Sequence, residues 1–227
     1  MLLLTGAAGG IGRAVTRLYA AAGGTVVGLD REPADGILAC DVSLEGEVQA
    51  AIARVLATHG RIDDIVHAAG VVGSAGIEAT SLAEWESVLV ANLTSAFLLL
   101  RACAAPLRQA RGRVVLVASS NALDGGSPLS GPAYAAAKAG VVNLVRHAAK
   151  DWRKAGVRVN GVAPGPVDTP MLHRLAPEVR QRLASQMFGG RPIAPEEVAG
   201  AVLFLLSDHA GGMTGTTLNL SGGLVPG

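Results

Sequence analysis

Short apolar runs alternate along this chain with longer stretches whose apolar positions recur every three or four residues. Leu2-Leu-Leu-Thr5 is the first such run and enters a glycine-rich turn, after which Arg13 to Ala22 has the period of a helix. Gly23-Gly24 ends that helix, and Thr25 to Asp30 reads as a second buried strand. The next apolar run, Ile37-Leu-Ala-Cys-Asp-Val42, begins only about six residues later. A parallel crossover normally needs about a dozen residues and often a helix. The helix expected there is therefore missing or reduced to a turn.

The alternation then continues. Glu45 to His59 reads as an amphipathic helix, and Asp63 to Gly70 as a buried strand ending in small residues. Ser81 to Gln109 is helical and broken near Asn92, with Ser81 as N-cap and Glu84 three residues on completing a capping box. Arg113 to Ser120 is a strand. The helix from about Ala133 finishes in Lys150, Arg153 and Lys154 before Gly156, as a helix C-terminus prefers. Val157 to Ala163 is a strand stopped by Pro164-Gly165-Pro166. A helix-rich stretch to about Phe188, a helix over Pro195–Ser207 and a last strand, Thr217 to Leu220, follow. The pattern predicts a single α/β domain over 1–227: a doubly wound, mostly parallel, seven-stranded sheet with helices on both faces and ligands at the strands' carboxyl ends.

Composition adds mainly exclusions. Half of the residues are apolar, 16% are charged and the net charge is +1, so nothing advertises a nucleic-acid or anionic-membrane partner. An aromatic share of 3% argues against base-stacking surfaces. Two cysteines, Cys40 and Cys103, suit a reducing compartment, and the N-terminus lacks the pattern of a signal peptide, so a soluble, cytoplasmic protein is expected. The five histidines show no ligand spacing, and no metal site is expected.

Two stretches carry chemistry. The first is the turn Gly6-Ala-Ala-Gly9-Gly10-Ile11-Gly12, set between strand and helix, with Asp30 ending the next strand 18 residues beyond Gly12. Glycines there let backbone N–H groups approach a pyrophosphate at the helix N-terminus, and the carboxylate meets ribose hydroxyls. The second is Tyr134-Ala-Ala-Ala-Lys138, whose spacing puts both side chains on one helix face. A neighbouring ammonium favours the phenolate and lowers the phenol's pKa, making its oxygen a usable proton donor and acceptor. Ser120, at the end of the preceding strand, stands ready to hold a substrate oxygen, with Ser119 and Asn121 as alternatives. The constellation suits proton movement on a carbinol or carbonyl.

With these residues in view, the whole chain resembles the compact, single-domain branch of the short-chain dehydrogenase/reductase family, with its Rossmann-type fold. Thr5-Gly6-x-x-x-Gly10-Ile11-Gly12 is similar to its nucleotide turn and Tyr134-x-x-x-Lys138 to its catalytic pair. Asn92 falls where the family keeps an Asn, and Pro164-Gly165-Pro-Val167-Asp-Thr169 is similar to its nicotinamide-side turn. The resemblance implies that Tyr134 is the general acid/base, that Lys138 lowers its pKa and binds the nicotinamide ribose, and that Ser120 orients the substrate oxygen. It also implies that Asn92 anchors a proton relay. Gly9, Ala69 and Gly70 flank the cofactor, Asp41 and Val42 contact adenine, and Val167 and Thr169 meet the nicotinamide amide.

Asp30 implies NAD rather than NADP, because a carboxylate repels a 2′-phosphate; Arg31 beside it is the counter-argument. The implied partner is a small secondary alcohol or its ketone. Met171, Leu172, Met187 and Phe188 are expected in a lid over an apolar pocket, and the helices around 92–108 and 134–152 in a homodimer or homotetramer. The chain departs from the family pattern in a Ser120–Tyr134 spacing one residue longer than is commonest, in His67-Ala-Ala-Gly70 where Asn-Asn-Ala-Gly is usual, and in the short link after Asp30. A dinucleotide-binding sensor without chemistry, and an epimerase or dehydratase with tightly held NAD, are the alternative readings.

Overall fold

The structure, a computed structural model, describes residues 1–226. Seven parallel strands lie in the order β3-β2-β1-β4-β5-β6-β7. They are β1 (Leu2–Thr5), β2 (Val26–Asp30), β3 (Ile37–Ala39), β4 (Asp64–His67), β5 (Arg113–Val117), β6 (Arg158–Pro164) and β7 (Thr217–Leu220). The helices are α1 (Gly10–Ala21), α2 (Glu45–His59), α3 (Leu82–Leu89), α4 (Ser95–Ala110), α5 (Asn121–Asp124), α6 (Pro132–Trp152), α7 (Pro170–His173), α8 (Pro177–Ser185) and α9 (Pro195–Leu206).

Successive residues of a strand point to opposite faces, and β1 feeds two cores in that way. Leu3 packs with Val48 and Ile52 of α2, Leu99 and Cys103 of α4 and Val145 of α6. Leu2 and Leu4 pack on the other face with Val15 of α1 and with Val198, Val202 and Leu205 of α9. Each large apolar side chain so buried contributes about 1.5–3 kcal/mol, which is why the central strands read as unbroken apolar runs. Cys40 and Cys103 are buried thiols that burial pushes up to about 11 and about 12, so both serve packing.

The short link after Asp30 holds no helix. Register explains how it still returns the chain in parallel: Gly28 pairs with Ile37 and Asp30 with Ala39, so the link retraces only three residues of strand. That distance is roughly 10 Å, within reach of six residues. Gly36, at φ 72°, accepts from Gly28 N–H and makes the final bend.

The expected break near Asn92 takes the form of a π turn over Val90–Thr94, between α3 and α4. The run Leu82–Ala110 is 29 residues long and apolar enough to cross a membrane (mean hydropathy 1.8), but here α4 packs between α2 and α6 against the sheet. Ser81 caps α3 by accepting from Glu84 N–H at 3.1 Å. The expected return bond from the Glu84 carboxylate is not made among the described residues, and that carboxylate borders Gly73 instead.

At the amino end of the sheet, far from the glycine turn, the fully buried Asp64 accepts from Arg113 Nε at 2.6 Å and Nη2 at 3.0 Å, and from the Tyr19 hydroxyl at 2.6 Å. Removing the cation leaves a buried carboxylate with one donor. Arg113→Met is expected to cost about 2–3 kcal/mol in urea unfolding, below the 3–5 kcal/mol of a fully enclosed pair because Arg113 is partly exposed. A loss under about 0.5 kcal/mol would show the pair to be energetically idle.

Candidate active site

The β1–α1 turn is pressed against the end of β4. Gly6 sits at φ 67°, and a Cβ there would lie 2.7 Å from the backbone of Ala68 and Ala69. A Cβ on Gly12 would lie 2.1 Å from the Gly6 carbonyl oxygen, so the first turn of α1 closes onto the strand. Sequence periodicity starts that helix at Arg13, whereas it starts at Gly10 with Gly9 as an N-cap that has no side-chain bond. The N-terminal N–H groups of α1 are therefore free of side-chain caps, as an anion-binding helix end requires. Asp30 accepts from Ala8 N–H at 2.9 Å and from Arg31 N–H at 2.8 Å, tying the turn to the end of β2. Asp41 accepts from both the N–H and the hydroxyl of Ser43, which holds its carboxyl below the usual range. Val42 is buried beside it, and Arg31 is exposed.

One cleft at the carboxyl edge gathers most of the rest. Its lining includes Ile11, Gly70, Asn92, Ser119, Ser120, Tyr134, Lys138, Pro164, Gly165, Val167 and Thr169. Lys138 is 4% exposed, and its Nζ donates to the Val117 carbonyl at the end of β5 at 2.8 Å. Burial pulls its pKa down to about 8. Tyr134 runs against the sequence expectation. Burial pushes the phenol above its ordinary value, while the Ser119 hydroxyl and the charge of Arg174 only partly offset this. Lys138 lies over the same side of the helix, 5.6 Å from the phenol ring centroid, without reversing that balance.

Of the three alternatives for holding a substrate oxygen, Ser119 is the one whose hydroxyl acts on the Tyr134 phenol and favours its ionised form. Ser120 lines the cleft, but its backbone N–H is bound to Pro164, and Asn121 reaches away to Ser130. The strand ends at Val117, three residues earlier than the expected end at Ser120, so Ser119 and Ser120 both lie in the turn that follows it.

Asn92 is 0% exposed and uses both amide hydrogens, on Val71 O and Val88 O at 2.8 Å each. A π turn carries one extra residue and disturbs the carbonyl ladder. The amide of Asn92 and the hydroxyl of Ser95, which donates to Ala91 O, cover carbonyls there. Asn92 Oδ1 is left buried with no partner. A Cβ built on Gly70 would lie 2.4 Å from that oxygen and 3.5 Å from Lys138 Nζ, so the two polar atoms border one point.

His67 joins the nucleotide turn to the π turn. It is 0% exposed, with Thr5 Oγ1 2.8 Å from Nδ1 and Ser95 Oγ 3.1 Å from Nε2. The single Ser95 proton goes to Ala91 O, so Ser95 accepts from Nε2–H and Nδ1 accepts from the Thr5 hydroxyl. Thr5 Oγ1 in turn accepts from Ala69 N–H at 3.4 Å. The ring is neutral, and burial lowers its pKa to about 3.

The lid differs from expectation in part. Met171 and Leu172 line the cleft, with Arg174, Leu175 and Leu183, but Met187 packs against Gly222 and Phe188 is 90% exposed. Arg174 carries no motif that distinguishes it in the sequence, whereas Ser119 is among the three alternatives there. Only the path of the lid brings Arg174 to the cleft.

Residues 6–225 match a family model described as enoyl-(acyl carrier protein) reductase. A 3-oxoacyl-[acyl-carrier-protein] reductase of Thermotoga maritima is 34% identical, covering 98% of this chain and 96% of its own. The chain belongs to the short-chain dehydrogenase/reductase family. It is thus a member of an oxidoreductase family that binds nicotinamide dinucleotides. Within that family a D-threitol dehydrogenase of Mycolicibacterium smegmatis is 36% identical over 97% of this chain and 91% of its own, and a cis-4-hydroxycyclohexanecarboxylate dehydrogenase of Sinomonas cyclohexanicum is 36% identical over 97% and 94%. The solved aldohexose dehydrogenase of Thermoplasma acidophilum superposes with a TM-score of 0.92 at 28% identity, covering 98% of this chain and 93% of that one.

The His67 network makes a stability prediction with a definite sign. A histidine whose folded pKa is depressed from 6.5 to about 3 contributes fully above pH 6.5, and the contribution is lost as pH falls toward 3. The slope is about 1.4 kcal/mol per pH unit. Urea midpoints of His67→Asn are expected to fall less steeply with acid than those of the native chain. At neutral pH, His67→Leu is expected to lose about 2–4 kcal/mol, since two buried hydroxyls lose their partner.

Proposed function

We propose that this protein reversibly oxidises a small secondary alcohol to a ketone with NAD, Tyr134 being the general acid/base. The observation that carries the reading is the meeting of Tyr134, Ser119, Lys138 and the unpartnered Asn92 Oδ1 in one cleft bordered by the glycine turn and by Pro164–Thr169. The glycine cradle fits a dinucleotide, since side chains at Gly6 or Gly12 would fill the space beside the turn. The bound dinucleotide supplies hydride transfer, which no side chain here can perform. Gly9, Gly10, Ile11 and Gly12 would hold its pyrophosphate, and Asp30, with lone pairs left after its two backbone bonds, its adenosine ribose. Asp41, Val42, Ala69 and Gly70 would flank the adenine side and the strand ends; Lys138, Pro164, Gly165, Val167 and Thr169 would hold the nicotinamide side.

Tyr134, with its pKa raised, is a neutral phenol near pH 7, ready to donate to a carbonyl oxygen. The Ser119 hydroxyl orients that oxygen and stabilises the phenolate left behind. Lys138 is mostly protonated below about pH 8, and Asn92 Oδ1 is an acceptor suited to a water that carries the proton outward. The names of the relatives support an alcohol or ketone substrate and range from a polyol to a hydroxy acid. A cytoplasmic location and a homodimer or homotetramer formed through α4 and α6 belong to the same reading; the half-exposed Phe97, under Arg101, is the apolar feature on α4 that supports it.

Four outcomes test this. NADH formation from cyclic and acyclic secondary alcohols is expected to fall by about 10²–10⁴-fold in Tyr134→Phe with dinucleotide binding retained, and equal activity in that variant sinks the mechanism. Because the phenol must ionise before it acts as base, alcohol oxidation is expected to rise with pH above neutrality while ketone reduction declines. Ser119→Ala removes a donor that favours the phenolate, so the oxidation limb is expected to move to higher pH; Ser120→Ala leaves it in place. In fluorescence titration NADH is expected to bind at least about tenfold more tightly than NADPH, a difference of about 1.4 kcal/mol, and Asp30→Ala narrows the gap.

A further inference from the structure

The cleft has a one-sided charge. Its lining contains two ionisable cations, Lys138 and Arg174, and no aspartate or glutamate. Lys138 is committed to the strand end through Val117 O. Arg174 is different. It follows α7 in the lid, is exposed, and spends one Nη2 hydrogen on the Leu129 carbonyl across the mouth of the cleft. No carboxylate pairs with it among the described residues, although nearby side chains do pair: His173 with Asp168 at 2.6 Å and Arg191 with Glu197 at 2.7 Å. Its charge is felt at the Tyr134 phenol, so a molecule reacting at Tyr134 lies within its field. Arg180 of α8 precedes the cleft-lining Leu183 by three residues on the same helix face, and its buried Nε has no hydrogen-bond partner among the described residues.

We infer that the substrate is a hydroxy acid or oxo acid, whose carbinol or carbonyl faces Tyr134 and whose carboxylate is held by Arg174. The inference rests on the proposed function for the position of the reacting oxygen and adds the substrate's charge. A guanidinium fork matches the two oxygens of one carboxylate, and a partly enclosed pair of this kind favours the anion over a neutral isostere. A carboxylate is favoured over a phosphate because a single free fork answers a single charge. The remaining wall, Leu129, Met171, Leu172, Leu175 and Leu183, is apolar and suits a compact hydrocarbon body between the two polar ends.

The test compares cyclohexanecarboxylate with cyclohexanecarboxamide, which share shape and differ in charge, by calorimetric titration of the full chain with and without NADH. The acid is expected to bind at least about tenfold more tightly, with the advantage shrinking as salt rises and disappearing in Arg174→Met. Arg174→Lys keeps the charge without the fork and is expected to retain part of it. Equal binding of acid and amide by the native chain, or an undiminished preference in Arg174→Met, overturns the inference. Because the readout is binding, Tyr134→Phe is expected to keep the preference. Full turnover by Tyr134→Phe alongside an intact acid preference would therefore remove the proposed mechanism while leaving the anion site standing.

Discussion

Parallel pairing is the constraint on which this molecule depends. Two parallel strands cannot be joined by a tight turn, so each connection must leave one edge of the sheet and re-enter at the other. Every strand here therefore releases its chain at the same edge, where Thr5, Asp30, His67, Val117 and Pro164 stand in neighbouring registers. Loops that are far apart in sequence are forced together there. The opposite edge is left to structure alone, and it is where the buried Asp64–Arg113 pair sits.

At the functional edge the backbone stops forming ladders, and buried polar groups must find other partners. Much of the candidate site answers that need. Lys138 takes the Val117 carbonyl, Asn92 takes two carbonyls near the π turn, and His67 passes hydrogen bonds from Ala69 and Thr5 through to Ser95 and Ala91. The side chains proposed for chemistry are thus also the ones that make the strand ends tolerable. Their positions are fixed before any ligand arrives, which suits a site that works by holding charges still. The exception is Asn92 Oδ1, a buried acceptor that the fold itself leaves without a donor.

What could be read from the sequence follows from which physical signals are local. The strands, the glycine turn and the missing helix after Asp30 were legible because each depends on period or on chain length over fewer than about thirty residues. The family resemblance was legible for the same reason, through ordered motifs. The choice between Ser119 and Ser120 was not, because it turns on where β5 stops, and strand ends shift by one or two residues without altering an apolar pattern. The π turn announced itself only as a break near Asn92, since one inserted residue barely disturbs a 3.6-residue period. Phe188 shows the reverse error: its type suggested a pocket wall, and only the path of the chain leaves it in solvent.

Electrostatics at Tyr134 depended least on motif and most on packing. A Tyr and a Lys four residues apart suggest a phenol made acidic by its neighbour, yet both groups are buried, and burial raises the one while lowering the other. The influences that favour the phenolate come instead from Ser119 on the strand side and Arg174 on the lid side. A lid that carries part of this balance ties proton transfer to closure: the phenolate is better stabilised with Arg174 over the cleft than with it swung away. An anionic substrate paired with Arg174 would gain hold on the lid but would offset that cation's pull on the phenol, leaving Ser119 as the group that favours the phenolate.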